Sequence, residues 1–288
     1  QLRRSVKALF TAINATVDQN AKLSDADKKT IKNFTTKIYI EPFDDVYLRS
    51  KALEVKVSYF TTDDLLSNIN MLTYNGLDVE SMTMLGPRAN YVRIISDIHV
   101  PYTQFNLAGL LVHIDAPQIA YARTLFYLAH EIGHTFNTFV TGEGTRTSLS
   151  QEYRHHYNVV STCNRNEMKR LRYGPKRDKY VHKNLRLVEK ELNADVFSVQ
   201  LAFQAYQSLN LPLLPEIDSD EEMFYRALTS SHFYCSHKEE RHLPEELFTA
   251  RHPRRYQRLE AVRLFSRGPA FDQAFKCKRE PPVCPTWF

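Results

Sequence analysis

The residues of this chain best suited to chemistry form the segment His130-Glu131-Ile132-Gly133-His134. Side chains four residues apart lie on one face of a helix, so a helix here would project His130 and His134 toward a common point. Two imidazoles at that spacing can hold one divalent cation, typically zinc, and Glu131 can act as a general base on a water molecule beside it. The segment therefore predicts a metal site, which needs a third protein ligand.

Carboxylates that can complete such a site occur in the segment Glu191-Leu192-Asn193-Ala194-Asp195. Glu191 and Asp195 are four residues apart, and their apolar neighbours place this acidic face beside a buried stripe. We expect Glu191 to bind the metal, with Glu189 as the alternative ligand. Asp195 can accept the free ring N–H of a ligating histidine, and the small Ala194 allows the two helices to approach closely.

A third polar segment follows at His252-Pro253, with Arg258 five residues after the proline. His252, just before an expected helix, can donate a hydrogen bond to the oxyanion of a tetrahedral intermediate. Arg258 can anchor Asp195 or the backbone of a substrate. Three tyrosines are alternative oxyanion donors: Tyr206, Tyr225 and Tyr256.

In this order, the three segments resemble the gluzincin metallopeptidases and, among these, are most similar to the HtpX-type heat-shock and prenyl-protein protease family. The resemblance implies one catalytic zinc ion bound by His130, His134 and Glu191. It also implies a mixed sheet whose edge strand binds an extended protein or peptide substrate. The members of that family embedded in membranes have transmembrane helices, so the resemblance points to a soluble relative or to another zincin branch with the same second helix. The expected edge strand consists of Leu110, Leu111, Val112, His113 and Ile114.

Composition and charge narrow the classes of protein that this chain can represent. Its 288 residues are enough for a large hydrophobic core, and no run of about 18 apolar residues predicts a transmembrane helix. The net charge of +5 is mild, and the basic stretch 169–190 is more typical of a solvated rim than of a dedicated nucleic-acid interface. Because the sequence begins at Gln1, a targeting segment is not visible in it. The sequence therefore leaves two locations open for the protein, the cytoplasm and a secreted or periplasmic compartment.

The four cysteines are too few to build a disulfide scaffold. Cys277 and Cys284 bracket a short proline-containing loop and can pair in an oxidising compartment, whereas free thiols are expected in a reducing one. A second metal site is conceivable within residues 232–242, which contain three histidines and a cysteine, but their spacing fits no closed set of four ligands.

Hydrophobic periodicity predicts an α+β fold with a largely helical C-terminal half, and the resemblance implies that this fold is of the zincin type. Residues 1–36 are expected to form an N-terminal helical cap of two helices, and residues 37–288 the metallopeptidase domain. Within that domain, short β-rich runs predict a sheet part at 37–114, and the helical part follows at 115–288.

Four predicted segments organise the helical part. A helix begins at Asp115-Ala116-Pro117, carries the first histidine pair and ends near residues 139–142. Residues 143–178 are polar and poorly periodic, which predicts a surface excursion with one helical turn near 164–171 that can act as a lid. A second long helix is expected at Tyr180–Leu209, and a shorter one after residues 218–220.

The sequence as a whole therefore predicts a zinc-dependent endopeptidase in which Glu131 is the general base. The alternative is a catalytically silent zincin-like binding or effector module that retains zinc for structure.

Overall fold

A computed structural model describes residues 2–36, 38–42, 90–92, 97–100, 117–141, 149–170, 175–231, 276, 284–285 and 287. This part of the chain is mainly helical. Its helices are α1 (Leu2–Gln19), α2 (Asp25–Thr35), α3 (Pro117–Thr141), α4 (Gln151–Arg170), α5 (Pro175–Gln207) and α6 (Asp220–Ser231). Its strands are β1 (Tyr39–Pro42), β2 (Asn90–Val92) and β3 (Asp97–Val100).

The three short strands form one small sheet in the order β1-β3-β2. β1 runs parallel to β3, with Tyr39 opposite Asp97, and β2 runs antiparallel to β3, with Asn90 opposite His99. Most of residues 37–114 lie outside the described part. The larger mixed sheet predicted there, including its edge strand at 110–114, therefore stays a prediction.

The helices α3 and α5 make the most extensive contact among the described elements and form the centre of the fold. α3 begins at Pro117, as predicted, because proline is favoured in the first turn, where its missing N–H costs no hydrogen bond. The apolar stripe of α3, which includes Leu125 and Ala129, is fully buried against the same core as Val196 and Val199 of α5. Both helices are thus fixed by burial of the stripes that predicted them.

The two N-terminal helices were also predicted, and their ends follow local capping chemistry. Ser24 caps α2 by accepting a hydrogen bond from the backbone N–H of Asp27. Leu9 and Ile13 of α1 are buried in the core that α3 and α5 share. The division of the chain into a cap at 1–36 and a second domain at 37–288 stays a prediction.

The surface excursion predicted at 143–178 is wrong in its centre, where α4 is a helix of 20 residues. One face of α4 is buried, and its members recur at helical spacing: Tyr153, Tyr157, Val160, Asn164 and Met168. The stripe mixes aromatic and amide side chains with few aliphatic ones, so it shows weak periodicity in a basic, polar sequence. The excursion also ends early, because α5 starts at Pro175 rather than near Tyr180. α6 forms where it was predicted.

Neither alternative that the sequence left open for Cys284, a pairing with Cys277 or a free thiol, is found. Cys284 forms a disulfide with Cys163 of α4, 121 residues away in the sequence, and not with Cys277. Three residues further on, Trp287 is buried, with its ring centroid 4.4 Å from that of Tyr157. The backbone carbonyl of Trp287 accepts a hydrogen bond of 3.2 Å from the hydroxyl of Tyr153. The C-terminal segment is therefore attached to α4 at two points.

Within the residues described, none of the helices combines the length and the apolar character needed to cross a membrane.

Candidate metal site

The candidate site lies where α3 and α5 cross in antiparallel directions. His130 of α3 faces Asp195 of α5, and His134 of α3 faces Glu191 of α5. Along the crossing, the residue numbers of α3 therefore rise while those of α5 fall. The four side chains thus come from two successive turns of each helix. The sequence placed these residues on the faces that meet.

The helices approach so closely because Gly133 lies against Ala194. A Cβ atom added to Gly133 would lie 3.0 Å from the Cα of Ala194 and 3.2 Å from its carbonyl oxygen. Any larger side chain at position 133 would therefore push the two backbones apart. This explains the glycine inside a helix, where it normally lowers helix stability.

The side chains of His130, His134 and Glu191 converge at the crossing. Nε2 of His130 lies 3.1 Å from Nε2 of His134. Oε2 of Glu191 lies 3.4 Å from Nε2 of His130, and Oε1 of Glu191 lies 3.2 Å from Nε2 of His134. Zinc–ligand distances of about 2.0–2.1 Å in a tetrahedral site separate neighbouring ligand atoms by about 3.3 Å. The three side chains therefore offer donor atoms at spacings that suit one small divalent cation, and they are the group with metal-ligand character found in the described residues.

Asp195 determines how the ring of His130 is oriented. Its carboxylate oxygen Oδ1 lies 2.9 Å from Nδ1 of His130, and its side chain is completely buried. A histidine that donates its Nδ1–H to a carboxylate leaves Nε2 as the atom that can bind a metal. The ring is thus set with Nε2 directed at the other two donors.

The electrostatics of the site favour positive charge at its centre. Burial alone would lower the pKa of His130, but the hydrogen bond and charge of Asp195, the hydrogen bond of Glu191 and the charge of Glu131 raise that pKa to about 9. Burial alone would raise the pKa of Glu191, but hydrogen bonds from His130 and His134 hold it far below its ordinary value. The buried carboxylates therefore favour a positive charge at the centre of the site, which a bound cation can supply.

Glu131 is buried at the same crossing. Glu131 directly follows His130 on α3, its side chain is only slightly exposed, and its charge contributes to the raised pKa of His130. This position is consistent with a base beside a metal-bound water, a role that stays a prediction.

The alternative ligand Glu189 is excluded by its own partners. Its carboxylate accepts hydrogen bonds from Arg165 at 3.0 and 3.2 Å and from the hydroxyl of Ser161 at 3.0 Å. Both partners belong to α4, so Glu189 fastens α5 to α4 and lies on a different face of α5 from Glu191.

Other predicted site residues are not brought to the cluster. Tyr206 lies on α5 about 22 Å along the axis from Glu191 and is buried beside Phe224, so it is not an oxyanion donor. Tyr225 packs in the same aromatic group. The remaining predicted site residues lie outside the described part of the chain: His252, Tyr256, Arg258, the strand Leu110–Ile114 and the histidine and cysteine group at 232–242.

Sequence reasoning missed one polar connection next to the site. The side-chain amide of Asn137 donates a hydrogen bond of 3.2 Å to the backbone carbonyl of Lys190 and accepts one from the hydroxyl of Tyr157. Asn137 follows His134 by three residues and lies between the buried apolar residues Phe136 and Val140. A buried amide at that position was the available signal, because such groups are nearly always hydrogen-bonded.

Comparison with known proteins assigns the family. Residues 112–286, more than half of the chain, match the sequence profile described as peptidase family M13. The chain belongs to peptidase family M13. The matched region of this M13 chain includes all three segments singled out above. The gluzincin-type metallopeptidase class is thus confirmed, whereas the narrower HtpX-type assignment is not supported, because its two helical motifs are shared among zincins.

The fold of the M13 chain is similar to that of a solved zinc metalloprotease. Zmp1 of Mycobacterium tuberculosis, solved in complex with an inhibitor, superposes with a TM-score of 0.68 at 17% sequence identity. The alignment covers 99% of this chain and 46% of Zmp1, so the chain spans about half of the length of that protein. A search of curated proteins finds no match.

Proposed function

We propose that this M13 chain is a zinc-dependent endopeptidase with one catalytic zinc ion bound by His130, His134 and Glu191. The observation that carries the proposal is the convergence of the His130, His134 and Glu191 side chains, whose ring nitrogens and carboxylate oxygens lie 3.1–3.4 Å apart, as the ligands of a tetrahedral zinc ion do. A bound zinc ion would polarise the scissile carbonyl and lower the pKa of a water molecule. The family match and the fold of the solved metalloprotease support the same reaction.

Four residues of the chain are proposed to carry out the other roles in the reaction. Glu131 accepts the proton of the attacking water and passes it to the leaving amine, which needs a carboxylate beside the metal site. Asp195 keeps the ring of His130 in the orientation that binds metal. His252 is proposed as the donor to the oxyanion, and Arg258 as the anchor of Asp195 or of the substrate backbone.

The proposed substrate is a protein or peptide in an extended conformation. Leu110–Ile114 would form the edge strand of a mixed sheet and pair with the substrate main chain, so that backbone hydrogen bonds provide affinity. In this proposal residues 37–288 form the peptidase domain and residues 1–36 the helical cap. No nucleic acid partner is proposed, because the mild net charge of +5 suits a protein substrate equally well.

The variant Glu131→Gln tests the reaction directly. We expect it to bind one zinc ion per chain, as the parent does, and to hydrolyse an unstructured protein such as casein at least 100-fold more slowly, since a positioned general base contributes about 10²–10⁴ in rate. Zinc content by atomic absorption and the release of peptides measure the two properties separately. Glu189→Gln is the matched control, because Glu189 is engaged by α4, and it should retain both properties.

The outcomes separate the proposed enzyme from the silent module. Full activity of Glu131→Gln with zinc bound would refute the general base. Stoichiometric zinc in the parent, with no hydrolysis of any protein and loss of folding in chelator, would favour a structural zinc module. Absence of zinc binding by the parent would exclude both.

A further inference from the structure

Two contacts between α3 and α5 flank the pair His134 and Glu191, one on each side. On one side, Gly133 packs directly on the backbone of Ala194. On the other side, one turn further along both helices, Asn137 donates a hydrogen bond of 3.2 Å to the carbonyl of Lys190. Lys190 directly precedes Glu191, so this bond acts on the turn that carries the proposed ligand.

The Asn137 amide has its orientation fixed by a partner on a third helix. The hydroxyl of Tyr157 in α4 donates to Oδ1 of Asn137, which leaves Nδ2 as the group that faces Lys190. The opposite orientation would place the amide oxygen against a carbonyl oxygen, two acceptors with no proton between them. Tyr157 is itself buried against the ring of Trp287, which follows the disulfide of Cys284.

We propose that Asn137 is a positioning residue whose amide, held by Tyr157, keeps α3 and α5 at the separation at which His134 and Glu191 share one cation. The inference rests on the zinc site proposed above. Asn137 does not touch the metal or the substrate in this proposal. It acts through the backbone of α5, and the C-terminal Trp287 supports it by confining Tyr157.

The chemistry of the amide makes the proposal specific. A carboxylate at position 137 has nearly the same shape and still accepts from Tyr157, but it cannot donate to Lys190 and would repel that carbonyl. Partners that act on metal ligands through other groups typically change metal affinity by 10–100-fold when they are replaced. A residue that only contributes to folding would lower thermal stability without changing the affinity of the folded protein for zinc.

The test measures zinc affinity of the full chain by competition with a chromophoric chelator, using zinc ions alone as the ligand. We expect Asn137→Asp to weaken zinc binding about 10–100-fold with an unchanged circular dichroism spectrum. Tyr157→Phe removes one hydroxyl and keeps the ring on Trp287, and it should weaken binding in the same direction but less. Asn20→Asp is the control, because Asn20 is buried to a similar extent at the end of α1 and should bind zinc as the parent does.

Parental zinc affinity in a folded Asn137→Asp variant would overturn this inference and leave the proposed function intact. If Asn137→Asp does not fold, Tyr157→Phe decides, and parental affinity there overturns the inference. A parent chain that binds no zinc would overturn the proposed function and the inference together.

Discussion

At the scale of single residues, two buried aspartates each lie within hydrogen-bond distance of particular polar groups. Asp195 lies beside Nδ1 of His130 at 2.9 Å and so belongs to the candidate site. Asp27 lies far from it in sequence and accepts from Ser150 twice, through the backbone N–H at 2.8 Å and the hydroxyl at 2.7 Å. A buried carboxylate without such partners costs free energy, so the structure depends on these particular contacts at both residues.

Asp27 connects the start of α2 to the start of α4, and its contribution to stability should depend on pH. Burial alone would raise its pKa, but the hydrogen bonds from Ser150 and Ser24 outweigh burial and lower the pKa below the ordinary value of 3.8. A lowered folded-state pKa means that the stabilisation is fully present above the unfolded-state pKa and is lost as pH falls through the folded-state pKa.

We therefore expect Asp27→Asn to lower the free energy of unfolding by about 1–3 kcal/mol at pH 7, the usual loss for a buried hydrogen bond to a charged group. The difference from the parent should shrink as the pH falls below about 4. Thermal or urea unfolding at pH 7 and pH 3 measures it. Asp18→Asn, which removes an exposed pair with Lys32, is the control and should cost less than about 1 kcal/mol at either pH. A pH-independent difference would contradict the assignment.

At the scale of elements, the crossing of α3 and α5 sets the site, and both helices could be predicted because aliphatic stripes recur along them at helical spacing. The same stripes brought His130, His134, Glu191 and Asp195 onto facing surfaces. α4 could not be predicted in this way, because its buried face is largely aromatic and polar. Such a face can be recognised as buried only once its contacts with α3 and α5 are known. The disulfide partner of Cys284 could not be predicted either, because sequence spacing favours a nearby cysteine and Cys163 is 121 residues away.

Gly133→Ala tests how tightly that crossing is set. Alanine is normally the better helix former, by about 1 kcal/mol. Here its Cβ would lie 3.0 Å from a backbone atom of Ala194 and 3.2 Å from the ring of Phe197, so the helices must separate. We expect a net destabilisation of about 1–3 kcal/mol, as for overpacked cores, together with weaker zinc binding because His134 moves away from Glu191. Chemical unfolding and chelator competition measure the two effects.

A second substitution sharpens the interpretation of Gly133→Ala. The atoms in conflict at position 194 belong to the backbone, so adding Ala194→Gly should not restore zinc affinity. Restoration by that second change would show that the side chain of Ala194, rather than the approach of the two backbones, limits the crossing. An unchanged or higher stability of Gly133→Ala would contradict the close approach itself.

At the scale of the whole molecule, the ends of the chain contribute to the core that surrounds α3 and α5. Leu9 and Ile13 of α1 are buried in it from the N-terminal side, and Trp287 is buried near the C-terminus. The disulfide Cys163–Cys284 closes a loop of 121 residues that contains α5, α6 and Glu191. Closing so long a loop restricts the unfolded chain strongly, and the loop-entropy relation gives a stabilisation of about 4–5 kcal/mol.

We therefore expect the double variant Cys163→Ser/Cys284→Ser to unfold at a markedly lower urea concentration, with a loss of up to about 4–5 kcal/mol, and the parent to shift similarly in a reducing agent. The variant Cys277→Ser distinguishes the two possible pairings. It should behave as the parent does, because the long loop remains closed. If Cys277→Ser loses as much stability as the double variant, Cys284 pairs with its near neighbour, and the attachment of Trp287 to α4 must rest on the contacts with Tyr153 and Tyr157 alone.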